Sequence, residues 1–145
     1  YFDRKYGSRG WSKWGATLNF SIGQGENTQN VINMTRFYAA LASGGEAPTP
    51  YIVRPRSDHV RDLGLTPEQL AGLRTALIAV VERGTAAASR SFDLSIAGKT
   101  GTAQNSHGED HGWYVGFAPA EKPQIIVGSI MEFAEHGSNV APFVN

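Results

Sequence analysis

The chain has 145 residues, 41% of them hydrophobic and 18% charged, and its 13 basic side chains are balanced by 13 acidic ones. Such a composition suits one globular domain, 1–145, with a substantial core, and its neutrality argues against broad electrostatic attraction to nucleic acid or anionic lipid. There is no cysteine, which removes a disulfide scaffold, a thiolate nucleophile and a Cys-ligated zinc.

Residues 1–20, YFDRKYGSRGWSKWGATLNF, mix aromatic and basic groups without a period. Such interleaving can grip single-stranded nucleic acid, but in a neutral chain it reads as a surface loop with Trp11 and Trp14 half buried. A glycine-punctuated turn, SIGQGEN, follows at 21–27. A first helix is then expected, capped by Thr28, with Val31, Met34, Tyr38 and Leu41 at helical spacing and Ile32 and Phe37 widening the apolar face; Gly44 and Gly45 end it. The proline-rich TPYIVRP at 49–55 suggests a short extended edge segment. A second helix is signalled by Thr66 as cap, Pro67 at its first position and Gln69 completing a capping box. Leu70, Leu73, Leu77, Val80 and Val81 form its stripe, and Arg83 with Gly84 closes it. GTAAASRS, at 84–91, is compatible with a further short helix. Three β-rich runs complete the chain: LSIAGKTGTAQ, GWYVGFAP and QIIVGSIMEF. Their short connections suit antiparallel neighbours. The fold class is therefore α+β, with helices packed on an antiparallel sheet.

Gly98-Lys99-Thr100 matches the end of a phosphate-binding loop, but the pattern's first glycine falls on Asp93, a carboxylate that would repel phosphate. No helical stripe follows either. On a strand the same residues acquire a different meaning. Lys99 and Gly101 point to one face, and Thr100 and Thr102 to the other. Gly101 lets a ligand approach the backbone. The Thr102 N–H is placed to meet a developing oxyanion, threonine hydroxyls bind carboxylates, and the Lys99 ammonium adds a positive field.

AGKTGTAQ (97–104) resembles the Lys-Thr-Gly motif of the penicillin-binding proteins. SIGQGENTQNVINMTRFYAALASGG (21–45), VVERGTA (80–86) and DHGWYVGFAP (110–119) are similar, in the same order, to further stretches of the class B transpeptidase domain. The SIGQG wording leans towards the elongation-type penicillin-binding protein 2. The resemblance covers the whole chain but only the later part of that domain. No serine here has a lysine three residues on, and Ser-x-Asn is absent. The family's nucleophile, base and middle motif are thus expected on a preceding segment, and the chain, which begins without Met, is read as a piece of a longer protein.

The resemblance implies a peptidoglycan D,D-transpeptidase that acts on D-Ala-D-Ala stem peptides through a serine acyl-enzyme and is trapped by β-lactams. It also implies the penicillin-binding fold and a place at the outer face of the cytoplasmic membrane, with the parent anchored upstream and working beside cell-elongation proteins. In that scheme Lys99 polarises the site, Thr100 and Thr102 hydroxyls with Gly101 receive the substrate carboxylate, and the Thr102 N–H supplies half of the oxyanion hole. The piece alone is expected to be inert. A non-catalytic β-lactam- or peptide-binding sensor module of the same fold is the alternative.

No cofactor or metal is expected. His107, Glu109, Asp110 and His111 crowd HGEDH, but their spacing fits no metal motif and reads as a solvated hairpin turn. Asp110 and His111 instead stand where the family resemblance puts the border of the cleft. No run reaches the ~18 apolar residues of a membrane span.

Overall fold

The computed structural model describes residues 2–7, 10, 14–53 and 59–145. Two short helices open the chain, α1 (Phe2–Tyr6) and α2 (Gly15–Ser21), where an irregular loop was expected. α2 buries none of its residues, and Trp14 is 87% exposed rather than half buried; Trp11 lies outside the described residues. Contacts at the chain's start hold it locally: the Tyr6 hydroxyl donates to Glu26 at 2.9 Å, and the Lys5 ammonium pairs with the same carboxylate.

α3 (Val31–Ala42) begins two residues later than a Thr28 cap would place it. Asn30 is the cap. Its backbone is extended, and its carboxamide oxygen accepts from the Asn33 N–H at 2.8 Å, satisfying a donor the helix cannot. Gly44 and Gly45, at φ of 85° and 102°, turn the chain out of the helix in a conformation that favours glycine. Leu41 is buried, yet Ile32 and Phe37 stay largely in solvent, so the apolar face is narrower than its composition suggests. Two short strands, β1 (Glu46–Ala47) and β2 (Arg61–Asp62), then pair antiparallel. The proline-rich stretch between them forms no strand within its described part, 49–53; the rest of TPYIVRP lies outside the described residues.

α4 (Pro67–Arg83) starts with the expected reciprocal cap. The Thr66 hydroxyl accepts from the Gln69 N–H, and the Gln69 carboxamide oxygen accepts from the Thr66 N–H. Leu70, Leu77 and Val81 are buried and Val80 partly so, while Leu73, expected in the same stripe, is exposed. Past Gly84 the chain folds back: both the Gly84 and Ala86 N–H groups donate to the Val80 carbonyl, which sinks Ala86 into the core. The expected further helix is only a 3-10 turn at Ala87–Ser89.

β3 (Ala97–Ala103), β4 (His111–Ala118) and β5 (Ile125–Met131) form one antiparallel sheet in that order. β4 is the middle strand, and its two faces enter two cores. Tyr114 and Ala118 pack with Ile96, Val81, Val140 and Ala141. Phe117 packs with Ala97, Leu41, Leu70, Leu77 and Ala120 on the other side. α4 thus feeds both clusters, and α3 lies against β5, where Gly128 makes room for Thr35 and Val31. A 3-10 turn, Gly137–Asn139, presses on the paired backbones of β3 and β4 through the bare Cα of Gly137. Beyond β5 no strand lies alongside among the described residues, and Ile125, Val127 and Ile130 are exposed there.

Candidate active site

β3 is an edge strand, and its second half lines a cleft of about 380 Å3. Residues 99–103 form one wall. Met34 and Tyr38 of α3 face them with Trp113 and Val115 of β4, and the 22–24 turn and residues 27–29 close the remaining side. The lining is more apolar than polar, the usual balance for a ligand site. Among the described residues, Lys99 is the only charged side chain in this lining. Its positive field suits an anionic ligand. Burial raises the pKa of the Tyr38 phenol, which stays neutral through the physiological range.

The register explains how the strand presents its groups. Thr100 pairs with Tyr114 and Thr102 with Gly112. In an antiparallel ladder a residue's N–H and C=O point to the same side. The Thr102 carbonyl accepts from the Gln24 carboxamide at 2.9 Å, and the Thr100 carbonyl from the Lys99 ammonium at 2.6 Å. Both carbonyls thus look away from β4, and the N–H groups of Thr100 and Thr102 look the same way, along the outer edge. A ligand laid along this edge meets the outward main-chain N–H groups, while the two outward carbonyls are engaged by Gln24 and Lys99.

The side chains of Thr100 and Thr102 lie on the opposite face from Lys99 and Gly101. Thr100 is 8% exposed, and its hydroxyl lies 2.6 Å from that of Thr85. Thr102 Oγ1 accepts from the Gly137 N–H at 3.4 Å, a long bond that leaves the hydroxyl proton uncommitted. Gly101 keeps the strand thin: an added Cβ would meet the Trp113 Cβ at 3.3 Å.

Two residues in this constellation had no role from the sequence alone. Gln24 was part of SIGQG, and its signal was the glycine on either side, both at positive φ, which turn the carboxamide towards β3. Thr85 was part of VVERGTA; nothing local distinguished its hydroxyl, because its partner lies 15 residues on in another element.

HGEDH runs from the turn between β3 and β4 into the first residue of β4, and neither Asp110 nor His111 lines the cleft. Asp110 accepts from the Asn105 N–H at 3.0 Å, and His111 Nδ1 accepts from the Phe133 N–H at 3.1 Å. Among the described residues no cluster of three or more histidines and carboxylates could hold a metal. No described helix is long and apolar enough to cross a membrane. Two other clefts, of about 450 and 480 Å3, lie between α3 and β5 and beside α4; neither is lined by residues 99–102.

Residues 4–145 match the family model described as the penicillin binding protein transpeptidase domain. The peptidoglycan D,D-transpeptidase MrdA of Acinetobacter baumannii is 34% identical over 158 residues, covering 90% of this chain and 24% of the relative. The crystal structure of Pseudomonas aeruginosa PBP2 in complex with WCK 5153 is similar at 34% identity, with a TM-score of 0.79 over 98% of this chain and 34% of that one. Helicobacter pylori PBP2, in its complex with MreC, is similar at 28% identity, with a TM-score of 0.84 over 98% of this chain and 28% of that one. The chain spans about a quarter of the length of the curated relatives it matches.

Proposed function

The chain belongs to the penicillin-binding protein transpeptidase family, and on that premise we propose that it forms the substrate-binding wall of a peptidoglycan D,D-transpeptidase of the elongation type. The nucleophilic serine and its lysine base stand on a preceding segment of a longer polypeptide. That serine attacks the carbonyl of the penultimate D-Ala, and the terminal D-Ala leaves as the free amine. An amine of a neighbouring strand then attacks the ester, restoring the serine hydroxyl and completing the cross-link. A β-lactam enters as the donor does and stays as the acyl-enzyme.

In this reading the Thr102 N–H receives the oxyanion, a donor whose loss typically costs about 10²–10³ in rate. Hydroxyls of Thr100 and Thr102 receive the ligand's terminal carboxylate beside Gly101, and the Lys99 ammonium steadies the anion and polarises the site. The observation that carries the proposal is the extended edge at 99–102, with outward main-chain groups beside a cleft in which Lys99 is the only charge among the described residues. Work at the outer face of the cytoplasmic membrane, anchored upstream, follows from the same reading. So does company among cell-elongation proteins, by analogy with the Helicobacter pylori complex.

Labelling with a fluorescent penicillin tests it. The full-length polypeptide carrying this segment is expected to take the label, and Lys99→Ala to slow acylation at least about tenfold with an unchanged unfolding temperature. The 145-residue chain alone is expected to take none, since it lacks the nucleophile. Wild-type acylation by Lys99→Ala removes that residue's role; a labelled 145-residue chain means that the nucleophile lies within it.

A further inference from the structure

We propose that Thr85 is a positioning residue for the carboxylate subsite: its hydroxyl donates to Thr100 Oγ1 and so leaves the Thr100 proton free to point at the ligand's carboxylate. The inference rests on Thr100 binding that carboxylate.

The argument is one of proton counting. Two hydroxyls 2.6 Å apart share one hydrogen bond, and either can be its donor. Each brings one proton and two lone pairs. If Thr100 donates to Thr85, Thr100 turns lone pairs towards the cleft, and an incoming carboxylate meets lone pairs as well. If Thr85 donates, Thr100 accepts from behind and donates forwards. An anion offers only acceptors, so its arrival selects the second arrangement. A hydroxyl that is already accepting is polarised and becomes a better donor. The Lys99 side chain leaves β3 from the face opposite the Thr100 hydroxyl, and its ammonium lies on the Thr100 main-chain carbonyl.

The surrounding fold keeps Thr85 in place. It follows Gly84, whose N–H caps the end of α4 on the Val80 carbonyl, and precedes Ala86, which is 1% exposed and bound to the same carbonyl. Its backbone is thus pinned on both sides. Thr100 sits in the regular ladder of β3 opposite Tyr114. The 2.6 Å contact therefore joins a strand to a turn whose flanking amides are both bonded, which holds the two hydroxyls in register.

The test uses the full-length polypeptide and two ligands, a penicillin with its free carboxylate and the methyl ester of the same compound. Acylation rate constants are measured for the wild type, Thr85→Val, Thr85→Ser and Thr100→Val, with thermal unfolding as the control for folding. Thr85→Val keeps the shape and removes the hydroxyl. It is expected to slow the carboxylate ligand about tenfold, the worth of one charge-assisted hydrogen bond, and to leave the ester within about twofold of wild type. Thr85→Ser is expected to restore the carboxylate rate. The proposal is overturned if Thr85→Val leaves that rate unchanged, slows both ligands equally, or is not rescued by serine. If Thr85→Val fails to fold, the serine variant together with Thr85→Ala replaces it. If Thr100→Val discriminates between the ligands and Thr85→Val does not, Thr85 alone loses its role. If Thr100→Val does not discriminate either, the carboxylate reading of Thr100 falls and the inference falls with it. A wild type that takes no label refutes the transpeptidase reading itself.

Discussion

Gly137 is the position at which a single methyl group should do most damage to the candidate site from behind. A Cβ there would lie 2.6 Å from the Trp113 carbonyl oxygen and 2.7 Å from the Gly101 nitrogen, and closer still to the Gly101 carbonyl oxygen. Carbon and oxygen normally stay about 3.3 Å apart or more, so something must move by most of an ångström. All three atoms are main chain, and Gly101 and Trp113 are register partners in the β3–β4 ladder. No flexible side chain can give way instead. Overpacking of this kind costs about 1–3 kcal/mol, and losing a ladder hydrogen bond adds about 1 kcal/mol. Gly137→Ala should therefore destabilise by about 2–4 kcal/mol. Gly101→Ala is the internal control. Its Cβ meets only the Trp113 Cβ, at 3.3 Å, and the lost freedom of the unfolded chain offsets the crowding, so its change should stay within about 1 kcal/mol. Urea denaturation with a common m-value reads both. A Gly137→Ala midpoint matching wild type, or a Gly101→Ala loss as large as that of Gly137→Ala, would refute the packing argument.

Thr66→Ala removes the hydroxyl that accepts from the Gln69 N–H, leaves the main-chain N–H that donates to the Gln69 carboxamide, and should cost about 1 kcal/mol by the same denaturation assay; Thr66→Ser should recover most of it. The buried Tyr114 hydroxyl makes no well-formed hydrogen bond, although the Asn145 side chain lies near enough to work against the rise in pKa that burial causes; Tyr114→Phe should therefore be neutral or stabilise by up to about 1 kcal/mol, whereas a clear loss would show that Asn145 bonds the hydroxyl. The Ser95 hydroxyl donates to both Glu121 carboxylate oxygens at 2.8 Å and lowers that carboxyl's pKa. A lowered folded pKa stabilises above the unfolded value, and the benefit is lost as pH falls through the folded one. The margin of wild type over Ser95→Ala in unfolding temperature should thus be present at neutral pH and narrow in acid, and a margin independent of pH would contradict this.

What the sequence revealed followed how local its causes were. α4 was legible because Thr66, Pro67 and Gln69 act on one another within four positions, and the three sheet strands because β-rich runs lie close together along the chain. The cap of α3 was misplaced on Thr28 because Asn30 offers an equally good acceptor, and only the backbone at 30 decides between them. The opening helices were missed because they span only five and seven residues, too few for a periodic stripe, and α2 buries nothing at all. At the site, the alternation of 99–102 could be read from strand geometry, but the aim of its groups could not. The Gln24 and Thr85 contacts span 78 and 15 residues and depend on how separate elements dock.

Among the described residues no strand lies beside the outer row of main-chain donors and acceptors of β5, and from Ile125 to Met131 there is neither proline nor charge to discourage one. In solution that row is adhesive. The isolated chain should therefore behave differently when dilute and when crowded, with concentration rather than temperature deciding when it leaves the monomeric state. A polypeptide that lays a strand there would abolish that dependence, and so would act as a solubiliser without approaching the cleft.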